Sequence, residues 1–109
     1  MAWLVRDDEV LASLEIADGR RARTRGLLGR DGIEGALYLA PCRSVHTFRM
    51  RFPIDVAFVD ADLVVRRVVQ MRPGRITRPC WSARGVIEAE AGSFAHWDLV
   101  VGDQLEVRR

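Results

Sequence analysis

Lysine is absent, and all 17 basic residues among the 109 are arginine. Codon bias in a GC-rich genome accounts for this first, and selection for the planar, bidentate guanidinium second. A segregated basic excess is also missing, because 15 acidic residues leave a formal net charge of only +2. A dedicated nucleic-acid binder is therefore disfavoured, while weak arginine-mediated anion binding stays open. Cysteine and histidine occur twice each. Neither forms a Cys-x-x-Cys, His-x-x-x-His or carboxylate-rich set, so no metal is expected. Cys42 and Cys80 read as two thiols of a reducing compartment rather than as a bridge. No glycine-rich phosphate loop, dinucleotide fingerprint or nucleophile elbow is present, so no cofactor is expected either. Long apolar runs are lacking. Residues 1–12 (MAWLVRDDEVLA) are interrupted by Arg6, Asp7, Asp8 and Glu9, which suits neither a leader nor a membrane span and points to a cytoplasmic location.

What is present is globular in kind. Hydrophobic residues make up 49% and charged residues 29%, which excludes a disordered or fibrous chain. A chain of this length fits one domain over residues 1–109, with roughly two-thirds of its unfolded surface buried.

Turn residues divide the chain into short apolar segments. Val10, Ala12, Leu14 and Ile16 recur at a period of two and, with the apolar residues 3–5 on the far side of Asp7-Asp8, predict an opening hairpin. Residues 20–30 (RRARTRGLLGR) are poor in strand formers and end near Gly29, which predicts a short helix. Residues 36–40 (ALYLA) form an apolar run stopped by Pro41. Residues 54–60 (IDVAFVD) are apolar on both faces, as a central strand is. Asp60-Ala61-Asp62 turns this strand into its partner, residues 63–71. Residues 72–82 hold Pro73, Gly74 and Pro79 and predict the longest irregular loop. Residues 85–91 (GVIEAEA) read as a strand, residues 93–99 as a helical turn, and residues 104–107 as a last strand. Six or more short strands argue for a mainly-β sandwich or partly closed barrel with one short helix after the first strands, not for a parallel α/β fold.

Five blocks occur in order: residues 25–30 (RGLLGR), residues 46–60 (HTFRMRFPIDVAFVD), Pro73, residues 86–92 (VIEAEAG), and Gly102-Asp103. Met50 and residues 55–58 (DVAF) form the most specific part. In this order the chain resembles a small prokaryotic family, domain of unknown function 192, over about residues 17–107. The resemblance implies a small jelly-roll-like β-sandwich with one helix after the first strands. It supplies no established activity.

Candidate site residues are Arg25, His46, Arg49, Asp55 and Glu88. Asp55 opens an apolar strand, so its carboxylate must find partners or take a proton. Hydrogen bonds to the backbone amides of the turn over residues 51–53 are the structural explanation, and general-base work the functional one. Glu88 and Glu90 project from one face of a strand, about 7 Å apart, where solvent contact, an ion pair of Glu88 with Arg25 or Arg49, or an acid/base pair all remain open. His46 precedes Met50 and suits a base, whereas His96 stands beside Trp97, where packing explains it. Phe48 and Met50 alternate with Arg49 and Arg51, giving an apolar and a basic side. The arginines at 20, 21, 23, 25 and 30 could converge on an anion with Arg72, Arg75 and Arg78.

These residues favour a binding or accessory module for a small polar ligand or protein partner. The competing reading is a small hydrolase or isomerase that uses Asp55 or Glu88 with His46. Arginine-mediated anion or nucleic-acid binding is the third.

Overall fold

A strand that is apolar on both faces needs cover on both, and the fold supplies it. The computed structural model describes residues 1–17 and 26–109. Its strands are β1 (Ala2–Arg6), β2 (Glu9–Ile16), β3 (Ala36–Leu39), β4 (Ile54–Val59), β5 (Val65–Met71), β6 (Gly85–Glu90) and β7 (Glu106–Arg108). They form one seven-stranded sheet in the order β5-β4-β6-β3-β2-β1-β7. The β2/β3 pair is parallel, and the other pairs are antiparallel. The mainly-β expectation holds. The ladder is continuous, however, rather than divided between two sheets, and it does not close into a barrel. A bridge between Val64 and Gln104 leans the segment before β7 against the start of β5.

Every residue of β4 is buried. Ile54, Val56 and Phe58 join Leu37, Leu39 and Val86 in one cluster, capped by loop residues that include Val45, Met50 and Cys80. Ala57 and Val59 join Leu4, Leu14, Ile87 and Ala89 in a second cluster, capped by Phe94, Leu99 and Leu105. The first face is thus covered by loops. The second is covered by the short helix α1 (Ser93–His96) and the chain that follows it.

The central hairpin forms as its sequence predicts. Asp60 Oδ1 accepts from the amides of Asp62 and Val64 at 2.9 and 3.0 Å, the closure expected where an aspartate ends a strand. The opening hairpin also forms, with Asp7 and Asp8 both at positive φ, as a two-residue hairpin turn requires. Its period of two is broken. Leu4 pairs with Ala12 but Val5 with Val10, so Leu11 is an extra residue in a β-bulge and the alternation changes face there. Val10 is 55% exposed, whereas Leu4 and Val5 are both fully buried.

Residues 26–29 are turn, and the rest of the helix expected over residues 20–30 falls largely outside the described residues. The helical turn expected after residue 92 is α1. Gly35 lets β3 lie against β2, because a Cβ there would come within 2.3 Å of Ser13 Oγ, and its φ of +77° is one that side chains rarely adopt. Cys80 is buried and no disulfide joins it to Cys42.

Candidate functional site

Residues directly opposite one another on neighbouring strands share a face. Glu88 lies opposite Leu37 on β3 and Val56 on β4, so its carboxyl rises from the middle of the loop-covered face between two aliphatic side chains. It is only 6% exposed. Burial among apolar neighbours pushes it up from the ordinary 4.5 to about 7. No described residue gives it a hydrogen bond or an ion pair. No fully buried side-chain nitrogen or oxygen among the described residues lacks a partner, so the Glu88 oxygens remain in contact with a cleft.

That cleft has a volume of about 90 Å³, and it is lined by Glu88, His46, Cys42 and Ser44 together with Met50 and aliphatic side chains such as Leu28 and Leu39. His46 is exposed at the rim, its ring stacked on that of Phe48 at 5.2 Å. Arg49 occupies the turn just before Met50 at a φ of 65°. This left-handed conformation is uncommon for a residue with a side chain. The turn is closed by the Met50 amide donating to Thr47 O at 3.1 Å. The structure thus brings Glu88 and His46 to one cleft, with Arg49 exposed nearby in sequence. Glu90 is exposed at the end of β6 and is not part of the lining.

Asp55 is placed differently. It lies opposite Ala89, on the helix-covered face. Its Oδ1 accepts from Gln70 Nε2 at 3.1 Å, and its Oδ2 accepts from the amides of Gly92 and Phe94, each at 3.0 Å. Gly92 is the N-cap of α1 and has no side chain to offer. Asp55 supplies the missing capping oxygen from the central strand. The amides it meets are those of Gly92 and Phe94, not those of the turn that precedes β4. The carboxylates of Asp55 and Glu88 therefore face opposite sides of the sheet. Arg25, with the arginines at 20, 21 and 23, lies outside the described residues.

Thr47 was not singled out by its sequence context, since a threonine in an extended segment is ordinary. It is fully buried. Its hydroxyl donates to Arg72 O at 2.6 Å and accepts from the Arg75 amide at 2.9 Å. Its backbone amide donates to Arg75 O at 2.8 Å, and its carbonyl accepts from the Gly74 amide at 2.8 Å. One residue thus pins residues 72–75 against the segment that carries His46. Thr47→Val keeps the shape and removes the hydroxyl, leaving the Arg72 carbonyl and the Arg75 amide without it. We expect a loss of about 1–2 kcal/mol in urea unfolding and faster hydrogen exchange at Arg75. A variant as stable as the parent would contradict this role.

The sequence profile of the domain of unknown function 192 family, whose description reads "Uncharacterized ACR", matches residues 3–107. The chain belongs to this family. A UPF0127 protein of Pyrococcus abyssi is 33% identical over 98 residues, an alignment covering 85% of this chain and 84% of the relative. Among solved structures, a protein of unknown function from Novosphingobium aromaticivorans superposes with a TM-score of 0.80 at 19% identity, covering 96% of this chain and 82% of the other. A Sinorhizobium meliloti protein named as a candidate transcription regulator superposes with a TM-score of 0.82 at 18% identity, covering 97% and 91%. At these identities the two structures show that this domain of unknown function 192 chain shares their fold. The family is one of uncharacterised function. No described helix of this member is long and apolar enough to cross a membrane. No group of three or more histidine, cysteine or carboxylate side chains among the described residues is placed to hold a metal ion.

Proposed function

We propose that this chain is a small binding module whose recognition element is the cleft holding Glu88 and His46. The observation that carries the reading is Glu88 itself: a carboxyl buried on the central part of the sheet, with no partner among the described residues, opening into a narrow and mostly apolar cleft. Buried polar groups are almost always satisfied, so an unpaired one facing a cleft marks the place where a ligand's donor would complete the set. About 90 Å³ is far below the several hundred Å³ that encloses a drug-sized molecule. The cleft therefore takes one small group, such as the protonated amine of a small polar ligand or of a partner's side chain, with His46 at its edge. Asp55 supports this site only indirectly, by holding α1 on the other face. The fold shared with the Sinorhizobium protein adds no nucleic-acid role at 18% identity.

A cation binds the ionised form of Glu88. Affinity for propylammonium should therefore rise about tenfold per pH unit below about 7 and level off above it. NMR titration of the labelled protein with propylammonium chloride should move the Glu88, His46 and Met50 amides, and Glu88→Gln should abolish the effect. A response that Glu88→Gln leaves unchanged, or no response at pH 8, contradicts the reading.

One observation favours a second reading, a small hydrolase or isomerase. Burial pushes Glu88 up to about 7, and it shares its cleft with His46; a group poised near the working pH is what general-base catalysis needs. Turnover of a small ester, lost in both Glu88→Gln and His46→Gln, would establish it; turnover that survives either change would exclude it.

A further inference from the structure

A second cleft is much larger than the one holding Glu88. It lies between β5 and the loop over residues 72–78 and has a volume of about 690 Å³. This falls in the range of small-molecule sites. Its lining combines Val69, Met71 and Ile76 with Arg72, Arg75 and Arg78, and it includes no acidic residue.

Arg67 also lines it, but its guanidinium is committed. It donates to the carbonyls of Arg78 and Pro79 at 2.9 and 3.4 Å and stacks over the Phe58 ring at 5.4 Å. The guanidiniums of Arg72, Arg75 and Arg78 form no ion pair with any described residue, and Arg75 reaches only the Gly74 carbonyl at 3.5 Å. Ile76 is left 67% exposed beside them.

Two further features argue that the cleft is built to receive a ligand. The loop backbone is held in advance by the four hydrogen bonds to buried Thr47, so ordering it on binding costs little. Like charges gathered around an apolar floor repel one another, and an anion relieves that repulsion while its apolar part covers Ile76, Val69 and Met71.

We propose that this cleft binds a small amphipathic anion, a carboxylate or phosphate head on a short apolar body. The head is held by Arg72, Arg75 and Arg78, and the body lies along β5. The site is separate from the Glu88 cleft, although the pairing of His46 with Ile76 places the two on either side of one short bridge.

Calorimetric titration with octyl phosphate, octanoate, octanol, inorganic phosphate and a single-stranded oligonucleotide tests the proposal. Octyl phosphate or octanoate should bind with an affinity that falls as salt rises. Octanol and inorganic phosphate should bind at least about tenfold more weakly, since each lacks one half of the recognition. Arg72→Gln and Arg75→Gln, both at exposed positions, should each weaken octyl phosphate or octanoate by about tenfold, the loss of one charge-assisted contact. Glu88→Gln should leave that affinity unchanged, which keeps this test independent of the other cleft. Equal binding by the arginine variants, inorganic phosphate as strong as octyl phosphate, or an oligonucleotide that binds more tightly than either amphiphile would overturn the proposal.

Discussion

Glu88→Gln should make the protein more stable at pH 8, by on the order of 3 kcal/mol, because burial has raised the proton affinity of Glu88 from 4.5 to about 7 at about 1.4 kcal/mol per tenfold change. The sign follows from where the proton sits. Below pH 4.5 the carboxyl is neutral in both the folded and the unfolded chain, and it imposes no penalty. Between 4.5 and about 7 the unfolded chain has released the proton while the folded chain retains it, so stability falls as pH rises. Above 7 the folded protein carries an ionised, buried carboxylate, and the penalty is constant. Glutamine never ionises. The gap between variant and parent should therefore be near zero at about pH 4, grow to about pH 7 and then flatten. In thermal unfolding it should reach on the order of 10 °C. Comparing the two proteins at each pH cancels every other titrating group, including Asp60, whose amide bonds hold its carboxyl below the usual range. A gap independent of pH would contradict the assignment.

Asp55→Ala should act in the opposite direction. It removes three accepted hydrogen bonds and leaves the Phe94 amide buried with no acceptor. Unsatisfied buried donors and lost charged hydrogen bonds together put the loss at about 3 kcal/mol in urea unfolding. Asp55→Asn retains an oxygen that can accept from both amides and should lose only about 1 kcal/mol. Hydrogen exchange at Gly92 and Phe94 should speed up in the alanine variant ahead of the rest of the sheet. Because Asp55 faces away from the Glu88 cleft, the asparagine variant should bind propylammonium as the parent does. A loss under about 1 kcal/mol in the alanine variant would show that α1 is held by something else.

The parts of this fold that could be read from sequence are those set by local chemistry. The hairpin of β4 and β5 is announced by a doubly apolar run, an aspartate turn and a second apolar run. The strand after Gly85 and the helical turn after Gly92 are marked by the same kind of punctuation. What could not be read depends on register. The bulge at Leu11 answers to the packing of Leu4 and Val5, and it exposes Val10 against its own periodicity. The separation of Asp55 from Glu88 requires knowing that β6 sets Ala89 opposite the one and Val56 opposite the other. Asp55 was legible as a carboxylate in need of partners. That the partners would be the amides of Gly92 and Phe94 was not, since they belong to a helix a long way along the chain. Glu88 was legible as a candidate, and its burial was not, because alternating Glu88 and Glu90 look alike until one is covered by Leu37 and Val56. Thr47 carried no signal, since its importance lies entirely in the loop it grips. Arg72, Arg75 and Arg78 were visible as a group, but the apolar floor beneath them comes from β5.

The proton of Glu88 governs both the stability profile and recognition at the cleft, and the Glu88 side-chain carboxyl carbon reports it directly. Its NMR shift, followed over roughly pH 4 to 9, should titrate with a midpoint near 7, and the midpoint should fall when propylammonium is added. A midpoint near the ordinary 4.5 would mean that the carboxyl is solvated or already partnered, and would contradict both the stability profile and the cleft as a place of recognition.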